Sequence, residues 1–243
     1  MKPIVKLSFL SAFLSLVYLL LEQFGFVRYL MCYLNSTESY IENYKNIEKY
    51  GDERTVITLS TTYTRLPKLI LVLKSLLDQT VRVDMIYVTI CGDNDSTNKT
   101  NSETLSALNT IKKIATIVEI KNCKHPNVSQ LYTAITREGN TTTRIITVGD
   151  DIIYGKDFIE TLMDAMKDGD DKIVFINEGE QEKTQEQYLN IDLSKGALFK
   201  TSYFSTNFIK ELEYKNRNWI TEYSKSLNIP SKSLKYSGNI DVI

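Results

Sequence analysis

Between positions 55 and 176 the chain alternates short β-branched apolar runs with longer stretches whose apolar residues recur every three or four positions. The first pattern predicts strands and the second amphipathic helices. The run 55–60 predicts a first strand. Leu66, Leu69, Ile70, Leu73, Leu76 and Leu77 then follow helical spacing, with Pro67 in the first turn, where its missing N–H is tolerated. Residues 85–91 predict a second strand, 103–115 a helix, 116–120 a third strand, 129–137 a helix and 144–148 a fourth strand. A helix over 156–167 and a fifth strand over 173–176 continue the series. Helix-length crossovers between strands imply an α/β fold with a doubly wound, mostly parallel sheet flanked by helices. Such sheets bind ligands beyond the carboxyl ends of the strands, where the strand order reverses. The loops after Ser60, Cys91, Ile120 and Val148 are therefore the places to look for chemistry.

Ahead of this domain, residues 4–21 are almost wholly apolar, with Lys2 and Lys6 at the leading end and Glu22 and Gln23 behind. A bilayer is spanned by about 20 apolar residues. A positive leading flank keeps the N-terminus cytoplasmic and sends the rest across. No small-residue cleavage pattern follows Leu21, so the expectation is an uncleaved signal anchor rather than a signal peptide. A helix packed on the domain is the alternative, because Phe24, Phe26, Val27, Tyr29, Leu30 and Met31 prolong the apolar character. The expected organisation is a hydrophobic helix over 1–34, a polar, tyrosine-rich stem over 35–54 and the α/β domain over 55–243. It describes a single-pass membrane protein with a lumenal or extracytoplasmic C-terminal domain. Glycosylation sequons at Asn35, Asn94, Asn98, Asn127 and Asn140 are compatible with that side.

Composition narrows the function classes. Lys+Arg total 29 against Asp+Glu 30, a formal net charge of -1, which argues against nucleic acid as a partner. Cys32, Cys91 and Cys123 show no paired spacing and His125 is the only histidine, so a Cys/His zinc site is not expected. Cys91 and Cys123 read as two free thiols near strand ends, with a bridge between them as the alternative. Glycine-rich phosphate loops of the dinucleotide and P-loop kinds are missing, which argues against dehydrogenase and P-loop readings.

Four features stand at the expected strand ends. Thr61, Thr62, Tyr63, Thr64 and Arg65 offer hydroxyls and a guanidinium to a nucleoside or phosphate. Asp93 and Asp95 can accept hydrogen bonds from a base or ribose. Asp150 and Asp151 follow the apolar run 145–148, and hard divalent cations take such carboxylates together with diphosphate oxygens. Gly196 precedes another apolar run, where a glycine permits close backbone approach. Each has a plainer reading as a helix cap, a solvated loop, a turn or a bulge.

Taken together these segments resemble small GT-A-type glycosyltransferases of the glycosyltransferase-2-like kind. The resemblance rests on Val56-Ile-Thr-Leu-Ser-Thr-Thr-Tyr-Thr-Arg65, on Ser75-Leu-Leu-Asp-Gln-Thr80, and on Ser129-Gln130-Leu131 with Ala134-Ile135. It continues through Gly149-Asp-Asp-Ile-Ile-Tyr154, similar to a "DDD-x-x-Y" metal motif, and Gly196-Ala-Leu-Phe199. The matches span most of residues 55–204.

The resemblance implies a GT-A-like fold and transfer of a sugar from a nucleotide-diphosphate donor, UDP-sugars first, to a hydroxyl of a glycan, protein or lipid acceptor. It implies Mn²⁺ or Mg²⁺ on Asp151 with Asp150, and nucleotide contacts from Thr61, Arg65, Asp93, Asp95 and Asp150. Gly196 and Trp219 would shape the sugar and acceptor side. Two departures stand out. Gly149 occupies the place of the motif's first acid, and Asn216, Arg217 and Asn218 replace acids expected near the acceptor. The base is therefore unassigned, with Glu213, Glu222 and Asp192 as candidates. A GT-A fold that binds without turnover is the first alternative, and a nucleotidyltransferase-like enzyme the second.

Overall fold

The β-branched run beginning at Thr55 forms β1 (Thr55–Thr62), which pairs in parallel with β2 (Met85–Cys91) on one side and β4 (Arg144–Thr147) on the other. The structure, a computed structural model, describes residues 13–17, 26–92, 102–123, 126–139, 142–167, 172–176, 191–204, 219–238 and 240–241. Beyond β2 lies β3 (Ile117–Lys121), also parallel. Beyond β4 lie β7 (Ala197–Lys200), β6 (Ile173–Ile176) and β8 (Ser231–Leu234). The seven strands run in the order β3-β2-β1-β4-β7-β6-β8, and β7 alone is antiparallel to its neighbours. The expected mostly parallel α/β sheet is thus the observed one. A separate ribbon joins β5 (Ile152–Ile153) to β9 (Ile240–Asp241).

Side chains alternate across β1, so Ile57 and Leu59 enter one apolar cluster and Val56 another. The first cluster lies under α3 (Leu66–Leu77), α4 (Ser102–Ile114) and α6 (Phe158–Lys167). The second lies under α5 (Pro126–Glu138) and α7 (Trp219–Ser226). Helices therefore cover both faces. The strand order reverses between β1 and β4: β1 leads to β2, whereas the crossover from β3 through α5 lands on β4. The crevice beyond the carboxyl ends of β1 and β4 is the switch point.

Residues 26–54, ahead of the sheet, carry helices of their own. In α1 (Phe26–Leu34), Cys32 is fully buried and Arg28 donates to the carbonyl oxygens of Tyr154, Ser75 and Asp78 and to the Asp78 carboxylate. The buried Lys74 ammonium donates to the carbonyls of Cys32 and Asn35, at 3.0 and 2.7 Å, closing the end of α1. The segment 35–54, expected as a stem, carries α2 (Thr37–Lys45), whose Tyr40 lies in the first cluster and whose Tyr44 bonds the Val83 backbone. Residues 26–54 are thus packed onto the domain. Most of the run 4–21 lies outside the described residues, and among those described no helix is long and apolar enough to cross a membrane.

One expectation is corrected. Cys91 and Cys123 are not separate thiols but a disulfide, with Cα atoms 5.2 Å apart. Cys91 is in register with Lys121 across the parallel β2–β3 pair, so a cysteine two residues further along arrives beside it. The bridge ties the carboxyl ends of β2 and β3 together, on the β2 side of the switch point.

Candidate nucleotide site at the switch point

A short helical turn over Tyr63–Arg65 carries the chain from β1 into α3. It sets Arg65 at the carboxyl end of β1, facing the end of β4. There Val148 donates its N–H to the Thr58 carbonyl, extending the pairing by one residue, and the chain turns at Gly149, Asp150 and Asp151. The Arg65 guanidinium spans both carboxylates. Nη1 lies 2.8 Å from Asp150 Oδ1 and Nη2 lies 2.9 Å from Asp151 Oδ2. Residues 85 and 86 positions apart in sequence thus meet across the crevice.

The two aspartates differ in environment. The Asp150 side chain is 10% exposed and that of Asp151 is 46% exposed. Burial pushes the Asp150 carboxyl above the ordinary carboxylate range, and the adjacent Asp151 charge adds to the rise. A hydrogen bond from Thr61 and the Arg65 charge pull the other way without cancelling it. A buried carboxylate in this position is favoured by any cation that comes close.

Tyr154 holds the turn in place. Its ring is fully buried, its hydroxyl accepts from the Gly149 N–H at 2.7 Å and donates to the Ser194 carbonyl at 3.1 Å. Burial holds the phenol well above its usual range, and the charges of Asp151, Asp150 and Asp192 act in the same direction. The segment before β7 therefore packs directly on the acidic turn. This explains Gly149: a Cβ there would lie 2.6 Å from the Ser194 carbonyl oxygen. The motif's first acid is replaced because backbone fills the space its side chain would need. Tyr154 and Ser194 were not singled out as site residues from the sequence, although Tyr154 closes the quoted motif.

The remaining expected residues are distributed as follows. Thr61 is buried at the end of β1 and bonds Asp150. Asp192 sits in the segment packed on Gly149, and its Oδ1 accepts from the Ser194 N–H and hydroxyl at 2.9 and 2.7 Å. Glu222 is exposed on α7, on the opposite face from α3 and α6. Asp93, Asp95 and Glu213 lie outside the described residues. Gly196 adopts φ +121°, and a Cβ there would strike the Phe158 ring at 2.6 Å, so it serves core packing as well as the strand entry. Trp219 is 3% exposed, with its ring packed near Phe204 and Tyr223, and offers no open face for stacking on a sugar.

Hard oxygen donors, two in number, are what Mg²⁺ and Mn²⁺ take when a diphosphate supplies other oxygens. Asp150 and Asp151 fit that requirement, and the guanidinium already on them marks a point of favourable positive charge. Among the described residues no cluster of three or more His, Cys, Asp or Glu side chains could hold an ion unaided.

No family model matches the chain, and no curated protein matches its sequence. Solved structures do match its fold. The mannosyltransferase PcManGT from Pyrobaculum calidifontis, in complex with GDP-Man and Mn²⁺, aligns with TM-score 0.55 at 15% identity, covering 90% of this chain and 66% of that one. TarS from S. aureus aligns with TM-score 0.52 at 13% identity, covering 79% of this chain and 37% of that one. TarS residues 1–349 in complex with UDP align with TM-score 0.51 at 13% identity, covering 78% and 60%. The chain thus spans under two thirds of these structures' lengths. At such identities the likeness establishes the shared GT-A-like fold.

Proposed function

We propose that the chain is a glycosyltransferase that moves a sugar from a nucleotide-diphosphate donor to a hydroxyl of a glycan, protein or lipid acceptor. The observation that carries this reading is the convergence of Arg65, Asp150 and Asp151 at the switch point between β1 and β4. Ligands of doubly wound sheets bind there. An arginine fork matches phosphate oxygens, and paired carboxylates match their counter-cation. The fold-level likeness to structures holding GDP-Man with Mn²⁺, or UDP, adds support by analogy.

In this reading Thr61 and Arg65 line the diphosphate side, and Asp93 or Asp95, which follow β2 in sequence, takes the nucleoside. Asp150 and Asp151 would hold Mn²⁺ or Mg²⁺, which when bound offsets the charge of the leaving diphosphate. Tyr154 fixes the turn so that both carboxylates are set before the donor arrives, the preorganisation on which electrostatic catalysis depends. The acceptor hydroxyl must lose a proton, and Asp192 is the described base candidate on the segment that packs against the acidic turn through Ser194. With Oδ1 occupied by Ser194, its other oxygen takes that proton. Gly196 supports the sugar side through the backbone.

We further propose a lumenal or extracytoplasmic domain anchored to a membrane by the run 4–21. The Cys91–Cys123 disulfide supports this placement, since such bridges persist in oxidising compartments. A non-catalytic sugar-nucleotide-binding module is the second reading. It is favoured by Gly149, where backbone fills the place of the motif's first acid.

The test uses the full chain in detergent, incubated with UDP-sugars and with GDP-mannose, with and without Mn²⁺. Release of nucleoside diphosphate that needs the ion and disappears in Asp150→Asn/Asp151→Asn supports transfer. Nucleotide binding without release from any donor, with acceptors supplied, supports the binding module.

A further inference from the structure

The Arg65 guanidinium does not sit beside the acidic pair as a bystander. Its two terminal nitrogens are divided between the two residues, one on Asp150 and one on Asp151, at 2.8 and 2.9 Å. A single ion bound by both carboxylates would occupy the space this fork now bridges. A guanidinium and a divalent cation cannot share that space, because like charges so close repel strongly at the dielectric of a protein surface.

The exposures bear on how exchange could occur. Asp150 is nearly buried, so its ionised form needs a cationic partner. Asp151 and Arg65 are 46% and 42% exposed, so their side of the cluster is open to an incoming ion. Arg65 stands at the end of a short turn, at the mouth of the crevice, with a long side chain able to re-aim.

We propose that Arg65 is a resident counter-cation: it holds Asp150 and Asp151 together when no metal is bound, is displaced by the divalent ion, and then turns its fork to the donor's diphosphate. This rests on the metal-assisted reading of the site. It predicts that metal and arginine compete before nucleotide binds and cooperate afterwards. Guanidinium suits this role better than ammonium, since its planar fork can match two carboxylate oxygens or two phosphate oxygens in turn.

The experiment titrates Mn²⁺ into the full chain without nucleotide, following the free-ion electron paramagnetic resonance signal, for wild type, Arg65→Gln and Arg65→Lys. Loss of the two competing ion pairs should tighten Mn²⁺ binding by roughly three- to tenfold in Arg65→Gln. Arg65→Lys, which keeps the charge but not the fork, should fall between. A second readout is UDP affinity at saturating Mn²⁺, which should weaken in Arg65→Gln. Circular dichroism monitors folding, and Arg65→Lys carries the test if Arg65→Gln does not fold. Equal or weaker Mn²⁺ binding in Arg65→Gln overturns the competition while leaving the metal site standing. Arg65→Lys indistinguishable from wild type overturns the bridging fork as its cause. No Mn²⁺ bound by any of the three proteins without nucleotide overturns this inference, and no Mn²⁺ bound with UDP present overturns the metal-assisted reading as well.

Discussion

The carbonyl oxygen of Ser194 lies only 2.6 Å from where a Cβ on Gly149 would have to be. Real Cβ atoms do not approach a carbonyl so closely. The missing first acid of the turn is therefore a packing consequence, and restoring it should not restore a ligand. Gly149→Ala should lower stability by about 1–3 kcal/mol, the usual range for overpacking. Gly149→Asp should be worse and should bind Mn²⁺ no more tightly than wild type. Urea denaturation checks the first statement and Mn²⁺ titration the second. An aspartate variant with full stability and tighter ion binding would sink this account of the departure.

The disulfide gives a second prediction. It closes a loop between cysteines 32 positions apart. Chain-entropy arguments assign such a crosslink at most roughly 3–4 kcal/mol. Cys91→Ser/Cys123→Ser should lose a substantial part of that, and wild type in reductant should approach the double variant. The bridge also fixes the ends of β2 and β3, so nucleotide affinity should drop along with stability. If reductant leaves both the urea midpoint and UDP binding unchanged, the bridge plays no part in either.

The N-terminal boundary is testable by truncation. Deleting residues 1–25 keeps Arg28 with its four acceptors and Cys32 with its carbonyl bond to Lys74. That protein should keep the urea midpoint of the full chain. Deleting residues 1–34 strips those contacts and uncovers the partners of a buried helix side. It should destabilise by at least about 2 kcal/mol, beyond the range of ordinary surface changes. Equal midpoints for the two truncations would show that α1 is dispensable.

Much of the sheet was legible because its strands are short apolar runs bounded by polar turns. The expected 85–91 and 173–176 coincide with β2 and β6. The strand β8 escaped notice because Ser-Lys-Ser-Leu carries no apolar alternation; its place comes from parallel pairing with β6 at the sheet edge. The two-residue β5 is a strand only because β9 returns from the far end of the chain to pair with it. In α2 the useful signal was Tyr40 and Tyr44, four apart on one helix face, but a polar background obscured it. At the site, residue types could be read from the sequence and their pairing could not. Nothing in local spacing joins Arg65 to Asp150, or brings Ser194 against Gly149. Those contacts exist because β1 and β4 are neighbours and β7 lies next to β4.

Acid sensitivity should centre on Glu138, at the opposite end of the sheet from the site. Its side chain is 4% exposed and accepts from Arg54, Tyr87 and Thr143, with Arg54 Nε at 2.6 Å. Burial alone would push this carboxyl up, but the hydrogen bonds from those three partners and the Arg54 charge together outweigh it. The net result lies below the ordinary value of 4.5. A carboxylate lowered in the folded state stabilises the fold fully above its unfolded pKa, and that stability is lost as pH falls through the folded value. Unfolding free energy should therefore owe Glu138 a constant term from neutral pH down to about 5, and a shrinking one below about 4.3. Glu138→Gln keeps the shape but not the charge, and should cost about 1–3 kcal/mol at pH 7, the range for hydrogen bonds to a charged group. The gap between variant and wild type should then narrow as the pH is lowered. Asp84 and Glu119 are also held low by their partners, so the variant keeps a residual slope of the same sign. Urea denaturation of both proteins at several pH values between 7 and roughly 3 measures the gap, and a gap that stays constant across that range would remove Glu138 as the source of the acid sensitivity.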